Sequence, residues 1–195
     1  MCKSFLPLLR AAGQGRIVNI ASQAGRFPIP FSTAYSMSKA ALIAFSNGLR
    51  RELTPWNISV MTIEPVFYQV AISLQDSINL LKSYYMRMWD SAAVEVKDAL
   101  GERFRDARIQ GLMDFALKSQ RPADKVYEVI DDLEHAVASV RPQLCYNPST
   151  HAKVVMAILA CLPLEVQDFL LTPVIQEKPQ NVVTSIIKSR RRSQK

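Results

Sequence analysis

The stretch IASQAGRFPIPFSTAYSMSK holds Ser22, Tyr35 and Lys39. Tyr35 and Lys39 are four residues apart, so on a helix their side chains rise from one face. A phenol in water titrates near about 10, and an ammonium group beside a phenol favours the phenolate, which makes the pair a usable proton donor and acceptor. Ser22 stands thirteen residues before Tyr35. A hydroxyl there, folded back toward the helix, would steady the oxygen of an alcohol or carbonyl while charge develops on it. Together the three suit the movement of a proton alongside a hydride. Singly they say little, because a YxxxK spacing arises on many ordinary helices.

These residues need a strand, a loop and a helix to position them. RIVNIAS is a short run with little polar alternation, as in a strand covered on both faces of a parallel sheet. After a Gly-, Pro- and Ser-containing loop, Ser32 or Thr33 can cap a helix that carries Ala34, Ala41, Phe45 and Leu49 on one side and ends near Pro55. ISVMTIEP reads as a second buried strand stopped by Pro65. Strand, helix and strand predict a parallel pair with a right-handed crossover and a ligand site beyond the carboxyl ends, where Ser22 and Glu64 fall.

The rest of the chain reads as mostly helical. Ile78, Leu81, Tyr85, Met88, Ala92 and Val96 keep near-helical spacing, which predicts helices over the sheet's carboxyl edge between about residues 72 and 120. From Pro122 to Pro142 a helix is expected with Val126, Val129, Ile130, Leu133 and Val137 as its stripe. QLCYNPS reads as a third short strand, followed by an apolar helix from about Lys153 and the segment LEVQDFLL.

Apolar residues make up 49% and charged residues 21% of the 195, the balance of a folded domain. Cys2, Cys145 and Cys161 are odd in number and lack ligand spacing, which argues against a disulfide framework or a zinc site and for a reducing compartment. No signal peptide is read in MCKSFLPLLR. Val154–Leu164 is too short and too interrupted, by Pro163, to cross a bilayer, but suits a core or interfacial helix. The net charge of +7 is concentrated partly in KSRRRSQK, which reads as a solvated tail. It lacks the interleaved aromatics and reading helix of a nucleic-acid binder, so no nucleic-acid partner is expected. His135 and His151 have no partner spacing and read as surface or helix-end residues. Trp56 is expected to pack at a helix end. Trp89, with Tyr84, Tyr85, Met86 and Met88, reads as helix core or as the lining of an apolar pocket.

GRIVNIAS, Tyr35–Lys39 as YSMSK, and ISVMTIEP at its distance together resemble the short-chain dehydrogenase/reductase family. The resemblance implies the C-terminal part of a doubly wound, parallel-sheet α/β (Rossmann-type) fold, with Tyr35 as general acid/base, Lys39 as its partner and a ligand of the nicotinamide ribose, and Ser22 as anchor of the substrate oxygen. NAD or NADP is the implied cofactor. Its further contacts fall on Pro65 and Val66, and no metal is implied. SYYMRMWDSAAVEVKDALGERF, VIDDLEHAVAS and the YNPSTHAKVV to LPLEVQDFLL ending resemble the retinol, 17-beta-hydroxysteroid and 3-hydroxybutyrate dehydrogenase branch. That similarity runs to about Leu171. It implies a lipophilic alcohol or ketone, steroid- or retinoid-like, as substrate. It also implies an endoplasmic-reticulum membrane location, with mitochondrion or cytoplasm as alternatives, and a peripheral membrane contact.

The family's Gly-rich TGxxxGxG turn, which cradles the cofactor pyrophosphate, and its NNAG segment have no counterpart in these residues, so the first strands and that loop are expected to be absent. The domain is expected at 1–171, with a catalytic half at 14–70, substrate-covering helices at 72–171 and a flexible basic tail at 172–195. Val66 and Val70 stand where the family has a glycine and a threonine. On these grounds the chain is expected to be truncated and inactive alone, with an open apolar strand edge. The alternative is a non-catalytic relative acting through the helix pair at residues 1–12 and 33–53, as a homodimer or paired with a full-length relative.

Overall fold

The computed structural model describes residues 2–28, 32–69 and 74–171. Three parallel strands form one sheet in the order β1 (Gly15–Ile20), β2 (Ile58–Ile63), β3 (Cys145–Tyr146). β1 pairs with β2 from Gly15 opposite Ile58 to Ile20 opposite Ile63, and β2 pairs with β3 at Thr62–Cys145 and Ile63–Tyr146. The fold is the α/β, Rossmann-like one expected.

The central strand β2 shows why both faces are covered. Ile58 and Val60 point to one side, where they meet Leu49 and Leu53 of α2 (Thr33–Leu53), Ile17 of β1, and Cys2, Leu6 and Leu9 of α1 (Cys2–Ala11). Met61 and Ile63 point to the other, against Val18, Tyr146 and the Val129, Leu133 and Ala136 line of α6 (Tyr127–Ala138). Val60, Met61 and Ile63 have no exposed surface. This is the two-residue alternation of a strand with helices packed on both sides. Arg16 joins the layers: its guanidinium donates to the carbonyls of Ala136 (3.0 Å), Val137 (2.6 Å) and Ser139 (2.5 Å), satisfying the open C-terminus of α6.

Two expected stripes differ from the structure. On α2 the buried face is Ser36, Ile43, Ser46, Leu49 and Leu53, while Ala34, Ala41 and Phe45 are exposed. Hydrophobicity alone misses this face because two of its residues are serines satisfied locally: Ser46 donates to the Leu42 carbonyl and accepts from Asn19 of β1, and Ser36 lies 3.2 Å from the Ser32 hydroxyl. On α6, Ile130 and Val137 are exposed and Ala136 replaces them at the sheet. The expected helix boundaries also shift. α7 spans Thr150–Cys161 and starts three residues before Lys153, because Ser149 caps it by accepting from the Ala152 amide. α8 follows at Leu164–Leu171.

The described residues divide into two compact units, one drawn from residues 2–69 with 120–168 and one from 74–119 with 169–171. The second contains α3 (Leu74–Asp90), α4 (Val94–Leu100) and α5 (Glu102–Ser119). The single stripe expected from Ile78 to Val96 is broken, since α3 ends at Asp90 and a new helix begins at Val94. The side chains of Ile78 and Leu81 lie outside the described residues, as do Val70 and the tail 172–195. Trp89 of α3 lies beneath the Arg105 guanidinium of α5, 5.5 Å from centroid to Cζ. In the first unit Trp56 packs against Arg10 at 4.1 Å, at the end of α2 as expected.

Met61→Ala leaves a void between β2 and α6. It is expected to cost about 2–4 kcal/mol and to lower the melting temperature by roughly 5–10 °C, read by thermal circular dichroism.

Candidate functional site

Each strand delivers polar residues at its carboxyl end. Ser22 and Gln23 follow β1, Glu64 and Pro65 follow β2, and Cys145 and Asn147 lie at β3. Ser22 is extended (φ −168°, ψ 153°) and caps a short 3-10 turn at Gln23–Gly25. Its Oγ accepts from the Ala24 amide at 3.2 Å and donates to the Pro65 carbonyl at 3.4 Å. The Gln23 amide donates to the same carbonyl at 3.1 Å. The loop bearing Ser22 is thus tied to the end of β2 through Pro65.

Tyr35 and Lys39 lie in the first turns of α2. Lys39 donates from Nζ to the Ile20 carbonyl at 3.1 Å, two residues before Ser22, and its ammonium lies 5.7 Å from the Tyr35 ring centroid. Tyr35 is 50% exposed. Among the described residues no hydrogen bond joins the Tyr35 hydroxyl to Ser22 or Lys39. The helix therefore brings Lys39 and Tyr35 to the end of β1, while the Ser22 hydroxyl is engaged by Ala24 and Pro65. Val66 is half-buried beside Pro65.

Gly25 permits this approach. A Cβ there would sit 2.7 Å from the Lys39 carbonyl carbon and 2.8 Å from the Ala40 nitrogen, both backbone atoms of α2. Only a residue without a side chain lets the turn after Ser22 lie on the helix at Lys39.

The other side of the same turn is held by charge. Arg26 donates to both oxygens of Glu64, at 2.5 Å and 2.8 Å, and Thr62 donates to Oε1 at 2.8 Å. The Glu64 side chain has no exposed surface, whereas that of Arg26 is 44% exposed. Burial works against the charged form of Glu64, but the bonds from Arg26 and Thr62 outweigh it and hold the carboxyl below the usual glutamate range. Arg26 also lies 3.8 Å from Cys145 Sγ, whose thiol is pushed up by burial and by the Glu64 charge. Gln23 Nε2 reaches Asn147 Oδ1 at 3.4 Å, and Gln23 Oε1 is buried without a hydrogen-bond partner among the described residues.

Sequence reasoning placed Glu64 at the strand end but missed its pairing with Arg26. The available signal was a carboxylate inside an otherwise apolar run, which requires a cation nearby. It also missed a second network. The Tyr68 hydroxyl donates to Glu128 at 2.7 Å and also meets the Pro148 carbonyl at 3.0 Å, and Arg121 pairs with Glu128. The segments around Tyr68 and Arg121 form a parallel bridge, with the Arg121 amide on the Phe67 carbonyl and the Gln69 amide on the Arg121 carbonyl. Burial and the Glu128 charge push the Tyr68 phenol well above its ordinary range. His135 stands in the last turn of α6, the expected helix-end position, with Nδ1 2.8 Å from the Tyr146 hydroxyl.

A family profile described as short chain dehydrogenase matches residues 1–78. The chain is 34% identical over 169 residues to mouse short-chain dehydrogenase/reductase family 9C member 7, covering 87% of this chain and 51% of that protein. It is 34% identical to rat retinol dehydrogenase 7 (85% and 50% covered) and 35% identical to bovine 17-beta-hydroxysteroid dehydrogenase type 6 (87% and 51% covered). The chain thus spans about half the length of the curated relatives it matches. Among solved structures, a short chain dehydrogenase from Burkholderia cenocepacia in complex with NADP superposes with a TM-score of 0.55 at 19% identity, over 89% of this chain and 54% of that one.

The Glu64 carboxyl gives a pH signature. Its folded pKa lies below the unfolded value near about 4.3, so its contribution is full above that value and is lost as pH falls through the folded pKa. Glu64→Gln is expected to cost about 2 kcal/mol at pH 7, less than for a fully enclosed pair because Arg26 is half exposed. The variant's deficit should shrink in urea melts taken from pH 6 down to about pH 3.

Proposed function

This chain belongs to the short-chain dehydrogenase/reductase family, and from that premise we propose that it carries the acid–base half of an NAD(P)-dependent oxidoreductase acting on a lipophilic alcohol or ketone, retinoid- or steroid-like. The observation that carries the reading is the Lys39 to Ile20 bond, which sets the Tyr35 turn of α2 beside the end of β1 and the start of the Ser22 loop. In the oxidative direction the alcohol O–H proton passes to the Tyr35 oxygen while the carbinol C–H leaves as hydride. In reduction Tyr35 returns that proton. Lys39 stabilises negative charge on the Tyr35 oxygen. Ser22 steadies the substrate oxygen by turning its hydroxyl from the Pro65 carbonyl, a long and therefore weak bond at 3.4 Å.

The residues present fit the nicotinamide-ribose end of such a cofactor. An ammonium has three donors. One of those on Lys39 is spent on Ile20, and two remain for a ribose diol, with Tyr35 exposed alongside. Pro65 and Val66 form the loop that would border the nicotinamide. Among the described residues the phosphate end has no such cradle: Gly13 and Gly15 lead into β1 and do not link a strand to a helix N-terminus. Bound NAD or NADP would supply the hydride acceptor or donor. The retinoid or steroid class rests on the 34–35% identity to rat retinol dehydrogenase 7 and bovine 17-beta-hydroxysteroid dehydrogenase type 6. The endoplasmic-reticulum membrane location is proposed on the resemblance to that branch.

Titrating the chain with NADH and NADPH and following nicotinamide fluorescence tests the reading. Saturable binding is expected, and Tyr35→Phe should keep it while Lys39→Ala, which removes the donors left for the ribose, weakens it. A chain that binds neither cofactor at about 1 mM, a weak-site concentration, would sink the proposal.

A second reading is pairing with another copy, favoured by the exposed apolar residues of α1 and α2: Phe5 (55%), Leu8 (66%), Met37 (67%) and Phe45 (47%). Met37, Ala41 and Phe45 repeat at four-residue spacing along one face. Sedimentation equilibrium is expected to show a dimer that Phe45→Glu dissociates.

A further inference from the structure

Gln23 follows Ser22 in the chain, and its backbone is fully committed. Its amide donates to the Pro65 carbonyl at 3.1 Å, and its carbonyl accepts from the Arg26 and Phe27 amides at 2.9 Å and 3.0 Å. The residue is 4% exposed. Its side chain reaches from the end of β1 to the end of β3, where Nε2 donates to Asn147 Oδ1 at 3.4 Å. Asn147 Nδ2 lies 3.9 Å from Cys145 Sγ, which leaves Asn147 Oδ1 as the acceptor for Gln23 and keeps Gln23 Oε1 out of that bond. Oε1 is buried and has no hydrogen-bond partner among the described residues.

A buried amide oxygen without a donor is unfavourable and rare in folded proteins. Three facts define the partner it calls for. The partner donates, because Oε1 only accepts. It carries no charge, because Glu64, the carboxylate of this turn, is already taken by Arg26, and burying a further cation without a counter-charge is costly. It also lies near the reacting group, since consecutive Cα atoms are about 3.8 Å apart and a group held by Gln23 neighbours whatever Ser22 holds.

We propose that Gln23 is a cofactor-binding residue whose Oε1 accepts a hydrogen bond from the carboxamide N–H of a nicotinamide. The inference rests on the redox reading of the site and deepens it. In a nicotinamide the ring carbon that carries the hydride is adjacent to the one that bears the carboxamide. A ring set for transfer with a carbinol at Ser22 therefore brings its carboxamide to the residues beside Ser22. Substrate oxygens fit the position less well. A retinoid alcohol has one hydroxyl, already held by Ser22, and the second oxygen of a steroid stands at the far end of a rigid four-ring frame. A primary carboxamide carries two N–H donors. Gln23 is fixed at Pro65 and at Asn147 before any ligand arrives, so it orients the ring without reorganising.

Competition against bound NADH, followed by nicotinamide fluorescence, tests this on the unmodified 195-residue chain. NAD is compared with 3-acetylpyridine adenine dinucleotide, in which a methyl ketone of similar size replaces the carboxamide and no N–H remains. NAD is expected to compete about tenfold better. In Gln23→Met, a near-isosteric change that removes the acceptor, NADH should bind about tenfold more weakly and the two competitors should become equal. The ligand-free variant is expected to melt no lower than the parent, because the orphaned oxygen is gone.

Equal competition in the parent chain overturns the proposal, while NADH binding in the same experiment leaves the redox reading standing. A preference for NAD that Gln23→Met leaves intact also overturns it, by assigning the carboxamide to another residue. So does a variant that melts lower yet binds NADH as the parent does, which would make Gln23 a structural residue. Failure of the parent to bind NADH or NADPH at all removes the redox reading and this inference together.

Discussion

A carboxylate with none of its side chain in contact with water sits at the end of the central strand, and the polar edge of the sheet is arranged around neutralising it. Glu64 lies on the same side of β2 as Thr62, whose hydroxyl supplies one bond to it. The cation comes from Arg26, just after the turn that follows β1. Leaving such a group unpaired would be strongly unfavourable, so the turn is drawn toward β2. The same turn carries Ser22 at its start and Gly25 at its end, which couples the charge pair to the position of the candidate chemistry.

Lys39 closes the circuit from the other direction. Ala21 donates to Ile63, so the alternation of a strand directs the Ile20 carbonyl to the opposite edge of β1. Among the described residues that edge has no neighbouring strand, the order being β1-β2-β3. The Lys39 ammonium satisfies the last carbonyl there and fixes the first turns of α2 to the strand end. The turn after Ser22 is therefore set by a helix backbone against Gly25 on one side and by a half-buried ion pair on the other.

The strands and the α2 boundaries could be read from the sequence because apolar runs bounded by Gly, Pro and Ser report burial directly. The RIVNIAS and ISVMTIEP strands and the helix between them all appear where the pattern put them. Facing was harder to read. The core side of α2 includes Ser36 and Ser46, small residues whose hydroxyls are satisfied by Ser32 and by Leu42 and Asn19, and no hydropathy pattern reveals that. The stripe on α6 failed at Ile130 and Val137 for a related reason: the helix approaches the sheet through Ala136, the smallest residue available. Within the site, the pairing of Tyr35 with Lys39 on one face follows from four-residue helical spacing, while the bond from Lys39 to the β1 end is set by the tertiary packing. The Arg26–Glu64 and Tyr68–Glu128 bonds join residues 38 and 60 positions apart, a separation at which local pattern carries no information.

Exposure of the site bears on the kind of ligand it can use. Tyr35 is half exposed, and an ammonium acting on a phenol through water is heavily screened compared with the same pair in a dry interior. The residue types for proton transfer are in place, but among the described residues no side chains supply around Tyr35 the low dielectric that gives them strength. A ligand that covers the phenol and excludes water would supply it. A large apolar group laid over the phenol does this better than a small, strongly hydrated one.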